Sequence, residues 1–267
     1  MPYKEFKPDV LIKALILLGF GIYLYHLVGS GDINLFINPR YVILTKFTYW
    51  ALAVMCLVQA GQLFSRSRHV CGAHGPAGPV LNRTVLPFVF TLLVAFFVPN
   101  TTLDANLAAN KGLEPVSGYA GDKSGGNSGI NDNTGEMPGN RDTVGTAGVI
   151  EVTDENFTAV LTSLYLAPLD YSGKEIVLQG FVYRQPDYAA NRFGLVRFVV
   201  NCCTADAILD GMICEAEDAL NYADGSWLQI RGTVALDDYD GQEIPVIKVI
   251  SLEPVEEPAN PYIYPQL

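Results

Sequence analysis

The chain has 267 residues, 49% of them hydrophobic and only 17% charged, against roughly 25% charged in an average globular protein. Charge is also unevenly placed: residues 1–100 hold eight Lys or Arg and three Asp or Glu, whereas residues 101–267 hold nine and 25. An apolar, slightly basic first part joined to a strongly acidic second part excludes a single soluble domain, a nucleic-acid binder working through a basic face, and a disulfide-dense secreted mini-protein.

The first part, residues 1–103, reads as a membrane region with three spans, near 10–28, 42–64 and 84–103. The first two approach the ~20 apolar residues needed to cross ~30 Å of hydrocarbon. The third has an apolar centre of only 14 residues, 85–98, and contains Pro87. It spans if its flanks lie at the interfaces. Lys4, Lys7 and Lys13 flank the first segment, and Arg66, Arg68 and Arg83 sit between the second and third. By the positive-inside rule the N-terminus and the 65–83 loop are then cytoplasmic. Three crossings put the acidic part outside. A cleaved signal peptide is the competing reading of the first segment, but two more apolar segments follow and no clean A-x-A site appears.

Residues 104–148 read as a linker. Nine of the 32 residues in 117–148 are Gly, and most of the rest are Ser, Asn, Asp or Thr. Such a stretch buries too little apolar surface to offset its ordering entropy, which predicts a flexible tether.

Order is expected again over 149–267. Thr153 or Asp154 can cap a helix that carries Phe157, Val160, Leu161, Leu164 and Tyr165 at helical spacing and stops at Pro168. Five strand-like runs follow, over 175–184, 194–201, 211–216, 227–236 and 244–252, with a tight turn assigned to Gly211 and a polar helix or loop over 217–225. The pattern predicts a small, mostly β domain: an OB-like five-stranded barrel with an N-terminal helix. A two-layer α+β sandwich is the alternative. OB folds often bind oligonucleotides, but an acidic one outside the cell is not expected to bind nucleic acid.

Three stretches carry a family likeness: R-F-V-V-N-C-C-T-A-D-A over 197–207, W-L-Q-I-R-G-T-V over 227–234 and the tail N-P-Y-I-Y-P over 260–265. With them the chain resembles the YcgQ-like family of bacterial membrane proteins, regarded as two-domain permease subunits. The resemblance covers nearly the whole chain outside 117–148, and the cysteine-bearing motif is its most specific part. It implies a plasma-membrane protein that partners a larger polytopic permease. It implies no substrate.

The candidate chemistry lies in cysteine. Of five cysteines, Cys56 falls mid-span and reads as a packing residue. Cys202 and Cys203 end one predicted strand and Cys214 lies in the next, so an antiparallel pair would bring Cys214 within disulfide range of one of the doublet. Structural thiols or a disulfide, a soft-metal site for Zn or Cu, and a redox role all fit this pattern. Asp206 is either an oxygen ligand or the cap of the turn before Ile208. His69, Cys71 and His74 form a short H-x-C-x-x-H cluster that lacks the fourth ligand of a structural zinc site. Glu215, Glu217 and Asp218 read as a solvated acidic face, and Asp237, Asp238 and Asp240 before Gly241 as a hairpin turn.

Histidine occurs only at 26, 69 and 74, so the outer domain has no Ser–His or Cys–His nucleophile and no His-ligated catalytic zinc. No P-loop, H-E-x-x-H or G-x-S-x-G is present. The expectation is a non-enzymatic, membrane-anchored accessory subunit of a permease with an extracytoplasmic binding domain. The alternatives are a metal-binding or metal-delivery module built on Cys202 and Cys203, and a thiol redox protein.

Overall fold

A computed structural model describes residues 8–62, 85–98, 102–103, 148–186, 188–239 and 242–265. The expected linker and the His69–Cys71–His74 loop lie outside these residues, apart from Gly148. The chain divides into two compact units, one up to Thr101 and one from Thr102.

Among the described residues the first unit holds three α-helices: α1 (Pro8–Ser30), α2 (Val42–Gln62) and α3 (Leu86–Phe97). Two of them, α1 and α2, are long and apolar enough to cross a membrane. At 1.5 Å per residue they measure roughly 34 and 31 Å. Their apolar side chains point outward: Phe47, Trp50 and Leu57 are all exposed. Such surface is costly in water and suits lipid. Between the two helices, Asn38 accepts the Arg40 N–H through Oδ1 at 3.1 Å, and Pro39 opens a 3-10 turn leading into α2. Packing centres on α1. A Cβ on Gly19 would lie 2.6 Å from a Leu92 methyl, so glycine lets α3 approach there. Tyr23 meets Phe96 edge-on at 5.5 Å.

The third apolar segment gives a helix of only 12 residues, about 18 Å long, so the structure shows two helices of crossing length rather than three. Two prolines set its limits. Pro87 sits at its first turn, and Val98 turns extended (φ −87°, ψ 124°) because Pro99 follows it.

The second unit comprises β1 (Val149–Glu151), α4 (Phe157–Leu166), α5 (Pro168–Tyr171), β2 (Glu175–Tyr183), β3 (Arg192–Val199), β4 (Ile208–Glu215), β5 (Trp227–Tyr239), β6 (Gln242–Pro254) and β7 (Tyr262–Ile263). Each of the five long strands was predicted. They close a ring: β2 pairs antiparallel with β3, β3 with β4, β5 with β6 and β2 with β5, while β4 and β6 run parallel. A ring has no free sheet edge, so the domain is a closed five-stranded barrel and not a two-layer sandwich. Ile176, Leu178, Leu195, Met212, Leu228, Ile230 and Ile247 fill its core, and α4 packs Phe157, Leu161 and Leu164 into the same cluster.

Four details differ from expectation. Gly211 is not a turn but lies within β4, where a Cβ would stand 2.2 Å from the Leu195 carbonyl oxygen and 2.7 Å from the Val196 Cα. The hairpin turn lies instead over 200–207. Helix α4 starts later than Thr153 or Asp154 would cap. Asn156 organises its entry, accepting the Thr153 N–H at 2.7 Å and donating to the Glu151 carbonyl at 2.9 Å. Two short strands extend the sheet: β1 beside β2, and β7 parallel to β3. Finally, the Leu103 N–H donates to the Tyr262 hydroxyl at 2.8 Å, so residues 102–103 already belong to the second unit.

Candidate functional site: the cysteine doublet on the barrel hairpin

The turn between β3 and β4 carries the doublet. Cys202 is exposed and Cys203 half-buried, both as free thiols, with the Cys202 thiol 3.7 Å from the Cys203 sulfur. Thr204–Asp206 form a single 3-10 turn. Asp206 holds it together: Oδ2 accepts the Cys202 N–H at 2.8 Å and Oδ1 the Cys203 N–H at 3.3 Å. The Asp206 N–H in turn donates to Cys203, at the carbonyl (3.0 Å) and at the sulfur. This is a reciprocal capping arrangement with cysteine where serine usually stands. Of the two roles open to Asp206 in the sequence, the geometry shows the capping one.

Charge at the turn is set by the same contacts. The Cys202 thiol is pushed up to about 11, first by its hydrogen bond to the Asp206 carboxylate and then by the Cys203 sulfur. Burial raises the Asp206 carboxyl, but hydrogen bonds from the Cys202 thiol and from backbone N–H groups outweigh this and hold it low. The Cys202 thiol is therefore protonated at neutral pH, beside a fixed negative charge.

Cys214 does not join them. It faces Phe193 on β3, at the far end of the hairpin from the turn, and is fully buried with its sulfur 3.6 Å from the Met212 carbonyl. It lies six positions beyond Ile208, the first residue of β4, or about 20 Å of extended strand. Disulfides need Cα atoms within about 7 Å, so the expected bridge to the doublet is excluded. The misplaced Gly211 turn caused that error, because it folded Cys214 back onto the wrong end of β3. Burial also raises the Cys214 thiol well above its ordinary range.

Glu215 is a further correction. It is not part of a solvated acidic face: Arg192 Nε donates to it at 2.6 Å and Lys248 pairs with its second oxygen. Arg192 also bonds Asp237.

Arg197 opens the cysteine-bearing motif, and sequence reasoning gave it no role. It is only 2% exposed. Its Nε donates to the Pro261 carbonyl at 3.0 Å, Nη2 to the Asn260 carbonyl at 3.4 Å and Nη1 to Asp154 at 2.9 Å, while the guanidinium lies 5.2 Å over the Trp227 ring. One side chain thus ties the C-terminal tail and the entry to α4 onto the barrel. The signal available in the sequence was a cation inside an otherwise apolar strand, where an arginine needs several acceptors.

Two family models match the chain: the DUF1980 N-terminal domain over residues 12–114 and the DUF1980 C-terminal domain over residues 129–265. The chain belongs to the DUF1980 family. The UPF0703 protein YcgQ of Bacillus subtilis (strain 168) is 26% identical, and the match covers 95% of this chain and 99% of that protein. A Streptococcus mutans protein named as a candidate two-component membrane permease complex subunit is 24% identical over 95% of this chain and 99% of its own. The family resemblance read from the 197–207 motif is thereby borne out. Among solved structures, a small single-stranded DNA-binding protein from Streptomyces coelicolor matches 31% of this DUF1980 chain and 94% of its own, with 18% identity and a TM-score of 0.21.

Proposed function

We propose that the chain is the membrane-anchored accessory subunit of a two-component permease, non-enzymatic in itself. Its helices seat it beside a polytopic partner in the plasma membrane of a bacterium, and its barrel is the extracytoplasmic part. The end-to-end match to a relative named as a subunit of a two-component membrane permease complex carries this reading. The bare apolar flanks of α1 and α2 support it, since they suit lipid and a helical neighbour equally. The side assigned to the barrel follows from the Lys and Arg placement together with a third crossing at α3.

The test is co-purification. The tagged full chain is extracted from its native membranes in mild detergent, and what comes with it is identified. A protein with many apolar spans, near one copy per chain, is expected. Replacing residues 1–101 by an unrelated anchor should lose it. Recovery of the chain alone, or a partner that stays bound after that replacement, would refute the proposal.

A further inference from the structure

Neighbouring residues on an extended chain point their side chains to opposite faces. Cys202 and Cys203 do not: their sulfurs lie side by side at 3.7 Å, in van der Waals contact, with Cys202 exposed. We propose that the pair is a reversible dithiol–disulfide switch, in which a ring closed between the two neighbours reshapes the turn between β3 and β4. The switch does not depend on the accessory-subunit reading, which gives neither thiol a role.

The oxidant is a disulfide, small or protein-borne. The exposed Cys202 sulfur, as thiolate, attacks it, forms a mixed disulfide and expels one thiol. The Cys203 sulfur then attacks the Cys202 sulfur, the S–S bond of the ring forms and the second thiol leaves. Two electrons and two protons pass to the oxidant, and the protein loses two hydrogens. Reacting atoms meet at about 3–3.5 Å, so side-chain rotation from 3.7 Å serves the second step. The Asp206 N–H already donates to the Cys203 sulfur, the atom that carries negative charge as it attacks. Asp206 slows the first step, because its carboxylate holds the Cys202 proton. Oxidation therefore quickens as pH rises.

Reversal and consequence follow from the same turn. Neighbouring Cα atoms stand about 3.8 Å apart, below the roughly 4.4–6.8 Å of ordinary disulfides. The ring is therefore strained, and strained, exposed disulfides are the readily reduced ones. Closing it also undoes the bonds that shape the reduced turn. The Cys202 thiol no longer has a proton to give Asp206, and the Cys203 sulfur is drawn from the Asp206 N–H. Those contacts cap the 3-10 turn Thr204–Asp206, so the reduced and oxidised chains present different turns at this end of the barrel.

The experiment treats the full chain in detergent, with Cys56→Ala and Cys71→Ala, with oxidised glutathione and weighs the intact protein. A monomer lighter by two hydrogens and free of glutathione is expected, and dithiothreitol should restore the original mass. Alkylation of the oxidised chain in denaturant should then find only the Cys214 thiol. Cys203→Ser should stop at the glutathione adduct on Cys202, and its serine can still accept the Asp206 N–H, which keeps the turn folded. Asp206→Asn should oxidise faster at pH 7, because the charge that holds the Cys202 proton is gone. On oxidation, hydrogen exchange at the Cys202 and Asp206 N–H groups should quicken while exchange in β5 holds. Four results would overturn the switch: no reaction, a glutathione adduct that persists with Cys203 present, a disulfide-linked dimer in place of the ring, or a ring that leaves exchange at the turn unchanged. Co-purification of a membrane partner is read separately, so either proposal can fail without the other.

Discussion

Replacing Arg197 with Met should cost about 2–3 kcal/mol, and the loss should be felt first at the C-terminal tail. Methionine keeps much of the apolar stem but removes the guanidinium. The Pro261 and Asn260 carbonyls, bonded at 3.0 and 3.4 Å, then lose their donor. A buried acceptor left unpaired costs about 1–3 kcal/mol. The longer bond counts for less, and stacking on Trp227 adds about 1 kcal/mol. The ion pair adds under about 1 kcal/mol, because Asp154 is half-exposed and stays hydrated when Arg197 goes. Relief of the burial cost of the cation lowers the total. Urea unfolding of the full chain in detergent measures the sum by Trp227 fluorescence in a Trp50→Phe background. Hydrogen exchange at the Val200 N–H, which donates to the Ile263 carbonyl at 2.9 Å, reports the tail alone and should accelerate more than exchange in β5. A change under about 0.5 kcal/mol, typical of ordinary surface sites, would refute this account. So would an Asp154→Asn variant as costly as Arg197→Met, since the ion pair and not the tail would then carry the energy.

Gly211→Ala should destabilise the barrel by more than about 3 kcal/mol or prevent folding, because the new Cβ meets backbone on β3 that cannot swing aside. Gly19→Ala, which meets the movable end of Leu92, should leave α1 and α3 assembled; equal damage from both would contradict the distinction between backbone and side-chain contact. Cys214 should resist maleimide until the barrel unfolds, and its titration should make stability fall at alkaline pH. The sign follows from burial. The native thiol holds its proton, whereas the unfolded thiol loses it above about 8.5, so the unfolded state binds fewer protons there and the stability present below that pH is lost as pH rises. Urea midpoints that stay flat from pH 8 to 10, or a Cys214→Ala variant as pH-sensitive as the parent, would refute it.

The sequence announces an element where one face of it meets the core and the other meets water. Ile176 and Leu178 on β2, and Leu228 and Ile230 on β5, alternate for that reason, and both strands were found close to their true starts. β3 is buried nearly throughout, so it shows no alternation, and its start was placed two residues late. β1 and β7 are three and two residues long, too short for any period to register. Gly211 shows the ambiguity of glycine: the same residue marks a turn or a place where two backbones touch, and only the register between β3 and β4 separates the two. That slip carried the disulfide error with it. Asp206 was legible as a cap because its partners are three and four residues away. Arg197 was not, because its carbonyl partners lie 63 and 64 residues down the chain.

The side of the membrane that the doublet faces turns on α3, because two crossings return the barrel to the side of the N-terminus and three place it opposite. At about 18 Å, α3 is shorter than the ~30 Å core. Its composition nonetheless favours insertion. Phe88, Phe90, Leu92, Leu93, Phe96 and Phe97 lie on a helix with no charged residue, and each such side chain contributes roughly −0.3 to −0.6 kcal/mol. Bilayer thinning around a short helix costs fractions of a kcal/mol per Å. Charge breaks the near-balance: by the positive-inside rule Arg66, Arg68 and Arg83 are expected to keep the loop before α3 in the cytoplasm, so that the chain would reach α3 from the inner face. A crossing is therefore expected. A cysteine placed at Ser128, with the native cysteines removed, should react with a membrane-impermeant maleimide on intact cells. Labelling that requires lysis would mean that α3 dips and returns, and would put the barrel and its two thiols in the cytoplasm.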